Sequence, residues 1–177
     1  VSNIFQNVLH LAEYTSKTVL GGVYNQKTAG PHNDILINHI ENKFKTYRHI
    51  KIESNILNGN KHIVYKATPR TIESETLYKN LSEDYKKQLD YLIDILEPLN
   101  LKQTEAISTL YAVWNNRIIE NLEINNQVLI KDFYNWSDRK KKEFQDRDIL
   151  HAMEVIKKHN ITPNGWGCYI GKENQHN

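Results

Sequence analysis

The most constraining feature of this sequence is a long helical pattern near its centre. Between residues 104 and 120, apolar and aromatic side chains recur at helical spacing, at Ile107, Leu110, Tyr111, Trp114 and Ile118. Side chains spaced by three, four and seven positions lie on one side of an α-helix. The sequence therefore predicts a helix over 104–120 with one buried face. The block from this helix to Gly167 is typical of a compact helical unit.

Further helices are predicted around this segment. Ser82 precedes Glu83 and Asp84, which is the pattern of a helix start, and an apolar stripe follows as far as Pro98. Shorter helices are predicted over 126–136 and 146–159, and a helix of weaker pattern over 70–80. Together these segments predict a helical bundle that occupies residues 70–177.

The first part of the chain predicts two helices followed by a β-hairpin. The helices are expected over 3–13 and 31–46, the second with Pro31 in its first turn. Two β-prone runs, 49–54 and 61–67, flank the turn sequence Asn58-Gly59-Asn60. This order is typical of a winged-helix unit, so we predict a winged-helix-like lobe over 1–69 with a boundary at Thr68-Pro69. The predicted fold class is mainly α (α+β).

Composition excludes some classes of protein. Hydrophobic residues make up 39% of the 177 residues, and no apolar run approaches the roughly 20 residues that cross a bilayer. Cys168 is the single cysteine, which fits the reducing cytoplasm. Because the chain opens on Val1 and its single methionine is Met153, we expect it to be a piece of a longer polypeptide.

The nearly balanced charge neither indicates nor excludes contact with DNA. The 23 basic and 21 acidic residues give a formal net charge of +2, without the strong excess of a dedicated nucleic-acid binder. The run 139–142 is either a solvated helix edge or loop, or a contact to a phosphate backbone, and Trp136 before it is expected in the core. The helix over 31–46 offers amides and lysines, with Asn33 and Asn42 among them. The candidate DNA-binding residues are Asn38, Lys43, Lys45, Arg139, Lys140, Lys141 and Lys142.

No catalytic centre is evident. The eight histidines form no H-x-x-x-H, and C-x-x-C, G-x-S-x-G and Walker-type glycine patterns are absent from the sequence. Asp34 with Glu41-Asn42-Lys43 matches a magnesium nuclease on paper. A helix, however, turns residues 41 and 43 about 200° apart, whereas the nuclease motif needs a strand. We therefore expect a chain that is not an enzyme and has no catalytic residues, metal site or cofactor.

Five segments carry distinctive motifs: QKTAGPHNDILINHI (26–40), EAISTLYAVWNNRI (105–118), Trp136-Ser137-x-x-Lys140, Leu150–Met153 and Pro163–Gly167. With these motifs the chain resembles, over roughly residues 5–171, the C-terminal extension of some long specificity subunits of type I restriction-modification systems. The third segment departs from the family's Trp-His-x-Ser-Lys element in its histidine and spacing.

The resemblance implies a place in a complex that recognises, methylates and cleaves DNA. The S-adenosylmethionine-dependent methyltransferase and the ATP-driven motor are other subunits of such a complex, and they are the expected partners. The expected function is a non-catalytic accessory domain that contributes to complex assembly or DNA binding. A winged-helix DNA-binding regulator is the main alternative, and a small magnesium-dependent nuclease is a weaker one.

Overall fold

The protein is mostly helical with a small β component, as the sequence predicts. The structure, a computed structural model, describes residues 2–48, 50–57, 60–69, 79 and 82–172. In the described part, the helices are α1 (Ser2–Ser16), α2 (Asp34–Tyr47), α3 (Glu83–Leu96), α4 (Leu101–Ile119), α5 (Asn126–Asn135), α6 (Asp138–Glu143) and α7 (Asp146–Lys158). The strands are β1 (Asn25–Lys27), β2 (Gly30–His32), β3 (Ile50–Leu57) and β4 (Asn60–Ala67).

A short hairpin separates the first two helices, and the sequence analysis missed it. β1 and β2 pair antiparallel, with Lys27 opposite Gly30. The expectation that Pro31 opens a helix is wrong, because Pro31 lies in β2 opposite Gln26. The next helix begins at Asp34, where the Asn33 side chain accepts a hydrogen bond from the Leu36 amide at 3.0 Å.

The second hairpin confirms the predicted pair of strands. β3 and β4 pair antiparallel over their full lengths, with Leu57 opposite Asn60. Residues 58–59 of the predicted turn lie outside the described residues. The hairpin packs beside α2, where Tyr65 of β4 donates its hydroxyl to the Glu41 carboxylate. The Phe5 ring of α1 lies 6.2 Å from Phe44 and 5.8 Å from Tyr65, centroid to centroid, which joins α1 to this region.

Side-chain caps set the starts of α3 and α4. Ser82 accepts from the Tyr85 amide, which confirms the predicted start of α3. Asn100 and Gln103 form a reciprocal capping box, so α4 begins at Leu101, three residues earlier than predicted. The predicted helix over 70–80 lies outside the described residues, except for residue 79.

The central helix α4 is buried on all sides along most of its length. Every residue from Thr104 to Asn116 is buried, including Glu105 at 1% exposure. The prediction of a single buried face is therefore wrong. The opposite face of α4 carries small and polar side chains whose burial depends on partners elsewhere in the chain.

The hydrophobic core draws on both predicted lobes. α1 packs against α3 and α4, and β2 packs against α1 and α4. Leu11 and Tyr24, from the N-terminal lobe, belong to the same buried cluster as Leu110 and Ile156. The core therefore does not divide at residue 69, whereas α2, β3 and β4 lie at its margin.

The last three helices close the bundle against α4. α5 and α7 confirm the predicted helices, while the short α6 occupies the basic run that was expected to be a helix edge or loop. Ile149, Met153 and Ile156 of α7 are buried as predicted, and Trp136 is in the core at 4% exposure. Across the described ranges, no helix combines the length and apolar character needed to cross a membrane.

Candidate functional site

The β1–β2 hairpin is held by side chains from the far end of the sequence. The Trp136 indole Nε1 donates to the Lys27 carbonyl at 2.7 Å, and the Ser137 hydroxyl donates to the Thr28 carbonyl at 3.1 Å. In return, the Gln26 side-chain amide donates to the Trp136 carbonyl at 2.5 Å. The segments 26–28 and 136–137 thus bind each other directly.

A buried ion pair completes this attachment. Lys140 is fully buried, and its ammonium lies 2.6 Å from the Glu105 carboxylate and 2.9 Å from the Thr109 hydroxyl. It also donates to the Ala29 carbonyl at 3.5 Å. Burial lowers the pKa of Lys140 to about 8, although the Glu105 carboxylate opposes this shift. The ion pair therefore links α4, α6 and the hairpin turn.

Lys140 is neither solvated nor able to contact a phosphate, so it fits neither interpretation of the basic run. Its ammonium lies 5.2 Å from the centroid of the Phe133 ring and 4.8 Å from that of Phe144, where neither solvent nor a phosphate reaches it. Arg139 is partly exposed and pairs with Glu105 at 2.7 Å. Lys141 and Lys142 are exposed, so within this run they are the lysines that a polyanion meets freely.

The Asn-Asn pair and the closing glycine turn also bind each other. The Asn115 amide donates to the Trp166 carbonyl at 2.9 Å, and its oxygen accepts from the Gly165 amide at 2.8 Å. Asn116 bonds in the same two-sided way to the backbone of Ile170. Because these side chains satisfy backbone groups of the C-terminal segment, their role in this structure is to hold the bundle together.

A cavity lies against the β1–β2 hairpin. It has a volume of about 360 Å³, and we call it the hairpin cavity. Its lining consists of Gln6 and Asn7 from α1, the segment 27–32, and Asp34 at the start of α2. Gln6 is 2% exposed and Asn7 is 1% exposed, so both amides lie deep. The Nδ2 atom of Asn7 is buried without a hydrogen-bond partner among the described residues.

Charged groups gather at the rim of the hairpin cavity. The Asp34 carboxylate lies 2.9 Å from His32 Nε2 and 3.8 Å from the Lys27 ammonium. The Asp34 side chain is 55% exposed, and the Lys27 side chain is 41% exposed. The cavity therefore has neutral amide groups at depth and an ionised pair where water reaches.

Gly30 is required by the close approach of three segments. Its φ of +137° lies in a region that side-chain-bearing residues rarely adopt, and a Cβ there would lie 2.9 Å from Asn7 Oδ1 and 3.3 Å from Thr109 Oγ1. The Ala-Gly-Pro sequence is thus explained by packing: the hairpin backbone sits directly between Asn7 and α4.

The exposed face of α2 is a second candidate surface. From residue 35 to residue 46, its exposed residues are Ile35, Asn38, His39, Asn42, Lys43, Lys45 and Thr46, a set without a carboxylate. The one acidic residue in this stretch, Glu41, is turned towards the hairpin by its bond to Tyr65. Asn38, Lys43 and Lys45 therefore lie together on one solvent-facing surface, which we call the α2 face.

Other residues singled out from the sequence lie elsewhere. Asn33, which was grouped with the α2 amides, is fully buried as the cap of α2 and donates to the Gly21 carbonyl at 2.6 Å. Glu41 and Lys43 do lie in a helix, as the argument against a nuclease assumed. Among the described residues, no group of three or more His, Cys, Asp or Glu side chains comes together as a metal site would need.

Sequence reasoning missed the deep amides of the hairpin cavity. Asn7 lies three residues after Ile4 and four before Leu11, and His10 lies three residues after Asn7 and four before Tyr14, so both fall on the buried face of α1. A polar residue in an apolar stripe is the signal that could have identified them. His10 is fully buried and bonds Ser108 Oγ at 2.9 Å.

In comparisons with protein-family models, curated proteins and solved structures, this chain has no significant match.

Proposed function

We propose that this chain is a non-catalytic DNA-contacting module, of the type attached to specificity subunits of type I restriction-modification systems. The observation that carries the proposal is the α2 face, on which the exposed residues between 35 and 46 are amide, imidazole, ammonium, hydroxyl and apolar groups. The exposed carboxylate of α2, Asp34, lies in its first turn and pairs with His32 and Lys27. The methyltransferase and motor subunits of such a system are the proposed protein partners, on the strength of the sequence resemblance alone.

The chemistry of the α2 face suits a DNA groove. Asparagine amides donate to and accept from base edges in the major groove, and lysines neutralise backbone phosphates. An α-helix has the width of the B-DNA major groove. Asn38 and Asn42 lie one turn apart on the face, and Lys43 and Lys45 lie on either side of them. This arrangement supports base contact along the centre of the helix and phosphate contact along its edges.

The role of the remaining motif residues supports a module without a reaction centre. Glu105, Lys140 and Asn115 are ionisable or polar groups of the kind that catalytic sites use. Each of them bonds to another part of the fold instead: Glu105 to Lys140, and Asn115 to the backbone of the glycine turn. These groups stabilise the bundle that carries α2.

The direct test is binding of the chain to a blunt B-form duplex, measured by fluorescence anisotropy as a function of salt. We expect binding at 50 mM salt that weakens as salt rises, because lysines at phosphates release counterions. The triple variant N38A/K43A/K45A should bind at least about tenfold more weakly and lower the salt slope by roughly one unit per lost phosphate contact.

The matched control is K87A/K158A, which removes two exposed lysines from α3 and α7 and leaves the α2 face intact. It should bind like the unchanged chain. Absence of duplex binding at low salt, or equal losses in the control and the triple variant, would contradict the proposal.

The regulator alternative uses the same α2 face, and specificity separates the two. A free-standing regulator reads a defined site, with specific binding typically 10³-fold or more tighter than non-specific binding. A selection of binding sites from random duplexes with the isolated chain measures this ratio. Enrichment of one sequence favours the regulator, and weak, sequence-independent binding favours the accessory module.

A further inference from the structure

We propose that the hairpin cavity binds a single nucleotide, with the base inside against the Asn7 amide and the phosphate at the rim against Lys27. The inference rests on the proposed contact with DNA for the source of the nucleotide, but the cavity's chemistry stands by itself. The ligand is therefore defined as a nucleotide, either an unpaired residue of DNA or a free nucleoside monophosphate.

The first support is an unpaired donor buried in the cavity wall. Asn7 is 1% exposed, and its Nδ2 has no hydrogen-bond partner among the described residues. Buried polar groups are nearly always paired, so an orphaned donor in the lining of a cavity indicates a group that a ligand satisfies. Every nucleobase presents acceptor atoms on its edges, which match this donor.

The second support is the gradient from neutral to charged groups. The deep residues Gln6 and Asn7 are uncharged amides, whereas Lys27 and Asp34 stand at the rim. A ligand that fits this order has a neutral hydrogen-bonding end and an ionised end that stays in water. A nucleotide has both, since its base is neutral and its phosphate is anionic.

The Asp34 carboxylate restricts where the phosphate can lie, because both groups are anionic. Its carboxylate lies 2.9 Å from His32 Nε2 and 3.8 Å from the Lys27 ammonium, so cationic or hydrogen-bonding partners offset its charge. An ammonium has three donors, so we expect Lys27 to bind a phosphate in addition to its present partners, of which Asp34 is one. We expect the phosphate on the side of Lys27 that faces away from Asp34.

The third support is that the cavity is preorganised. The carbonyls of Lys27, Thr28 and Ala29 are each held by a side chain of the segment 136–140. These bonds fix the backbone of one cavity wall, which lowers the entropy lost on binding. A volume of about 360 Å³ lies within the usual range of small-molecule sites.

The position of the cavity connects it to the α2 face. Asp34 belongs to the first turn of α2 and also to the cavity rim, so the cavity lies at the N-terminal end of the proposed DNA-contacting helix. A duplex docked on the α2 face brings a nucleotide that has left the base stack close to the cavity.

The test is a titration of the full chain with each deoxynucleoside 5′-monophosphate and with the matching nucleosides, followed by calorimetry and by amide chemical shifts. We expect saturable binding of at least one nucleotide, and at least fivefold weaker binding of its nucleoside. N7L keeps the shape of the side chain but removes the donor, so it should lower affinity at least tenfold. Its melting temperature should stay the same or rise, because it also removes an orphaned polar group.

A second variant tests the proposal without a substitution at a buried residue, so a folding defect cannot explain its result. K27A changes a partly exposed side chain and should abolish the advantage of the nucleotide over the nucleoside. K87A is the control and should bind as the unchanged chain does. Absence of saturable nucleotide binding, or equal binding by the unchanged chain, N7L and K27A, would overturn the proposal.

Duplexes distinguish the two sources and separate this inference from the proposed function. If a duplex with a one-nucleotide overhang binds at least fivefold tighter than the blunt duplex, and N7L removes the difference, the nucleotide belongs to DNA. If the overhang adds nothing while nucleotides still bind, the ligand is a free nucleotide. The α2 variant N38A/K43A/K45A should lose blunt-duplex binding and keep nucleotide binding, so each proposal fails separately.

Discussion

The helices α4 and α2 show two opposite uses of similar polar side chains. In α4, every residue from Thr104 to Asn116 is buried, and the polar residues bond to distant parts of the chain. In α2, Leu36 and Ile37 are the buried positions, and the amides and lysines face solvent. The polar motif residues of α4 therefore hold the fold together, whereas the surface available to a partner lies on α2, whose sequence is less distinctive.

Breaking the ion pair of α4 should have the largest effect on stability. E105A leaves the fully buried Lys140 ammonium without its carboxylate, and such losses cost about 3–5 kcal/mol of unfolding free energy. Denaturant unfolding measures this value. In the double variant E105L/K140M the buried charges are gone, so most of the stability should return. A loss below about 1 kcal/mol in E105A would show that α4 tolerates an unpaired charge.

A pair of apolar truncations should sharpen the contrast between the helices. Leu110 of α4 is fully buried, so L110A should lower the free energy of unfolding by about 2–5 kcal/mol. Ile35 of α2 is 72% exposed, so I35A should change it by less than about 0.5 kcal/mol. Chemical denaturation of both variants under identical conditions gives the comparison. Similar losses would mean that the α2 face is covered in solution.

Acid should weaken the seam between α1 and α4. Burial lowers the pKa of His10 from 6.5 to about 3. Below pH 6.5 the unfolded chain binds a proton that the native state does not bind until about pH 3. The unfolding free energy should therefore fall as pH drops through this window, by up to about 1.4 kcal/mol per pH unit from this group. The measurement is the difference in slope between the unchanged chain and H10N. Equal slopes would contradict the assignment.

Removing the cap of α2 should cost less stability than E105A or L110A. N33A deletes the acceptor for the Leu36 amide, which typically costs about 0.5–2 kcal/mol. Hydrogen exchange should show faster opening of the first turn of α2 while the amides of α4 stay protected. Faster exchange in α4 would indicate that the two helices unfold together.

Much of the fold could be predicted because its signals are local. The helix start at Ser82, the stripe of Ile149, Met153 and Ile156, and the paired strands β3 and β4 follow from side chains close together in sequence. The β1–β2 hairpin was missed because each strand has only three residues and Gly30-Pro31 also fits a helix start. Local patterns that suit two structures leave the choice to packing.

The candidate surfaces divide in the same way. Asn38, Lys43 and Lys45 were named as candidate DNA-binding residues for their amide and ammonium groups, and they are exposed. Lys140 was also named as a candidate DNA-binding residue, from its basic neighbours, but it is buried beside Glu105. Because Glu105 lies 35 positions away in sequence, no local pattern indicates this pairing. The orphaned amide of Asn7 has no local signal beyond its place on an apolar helix face.

The sequence by itself determined where the main helices and the longer hairpin form, since periodicity and caps act over a few residues. Only the tertiary structure decided which polar groups are paired inside: Lys140 with Glu105, Asn115 with the glycine turn, and Asn116 with the backbone of Ile170. The physical reason is that burying a polar group is tolerated only where a partner lies, and these partners come from segments far apart in the chain.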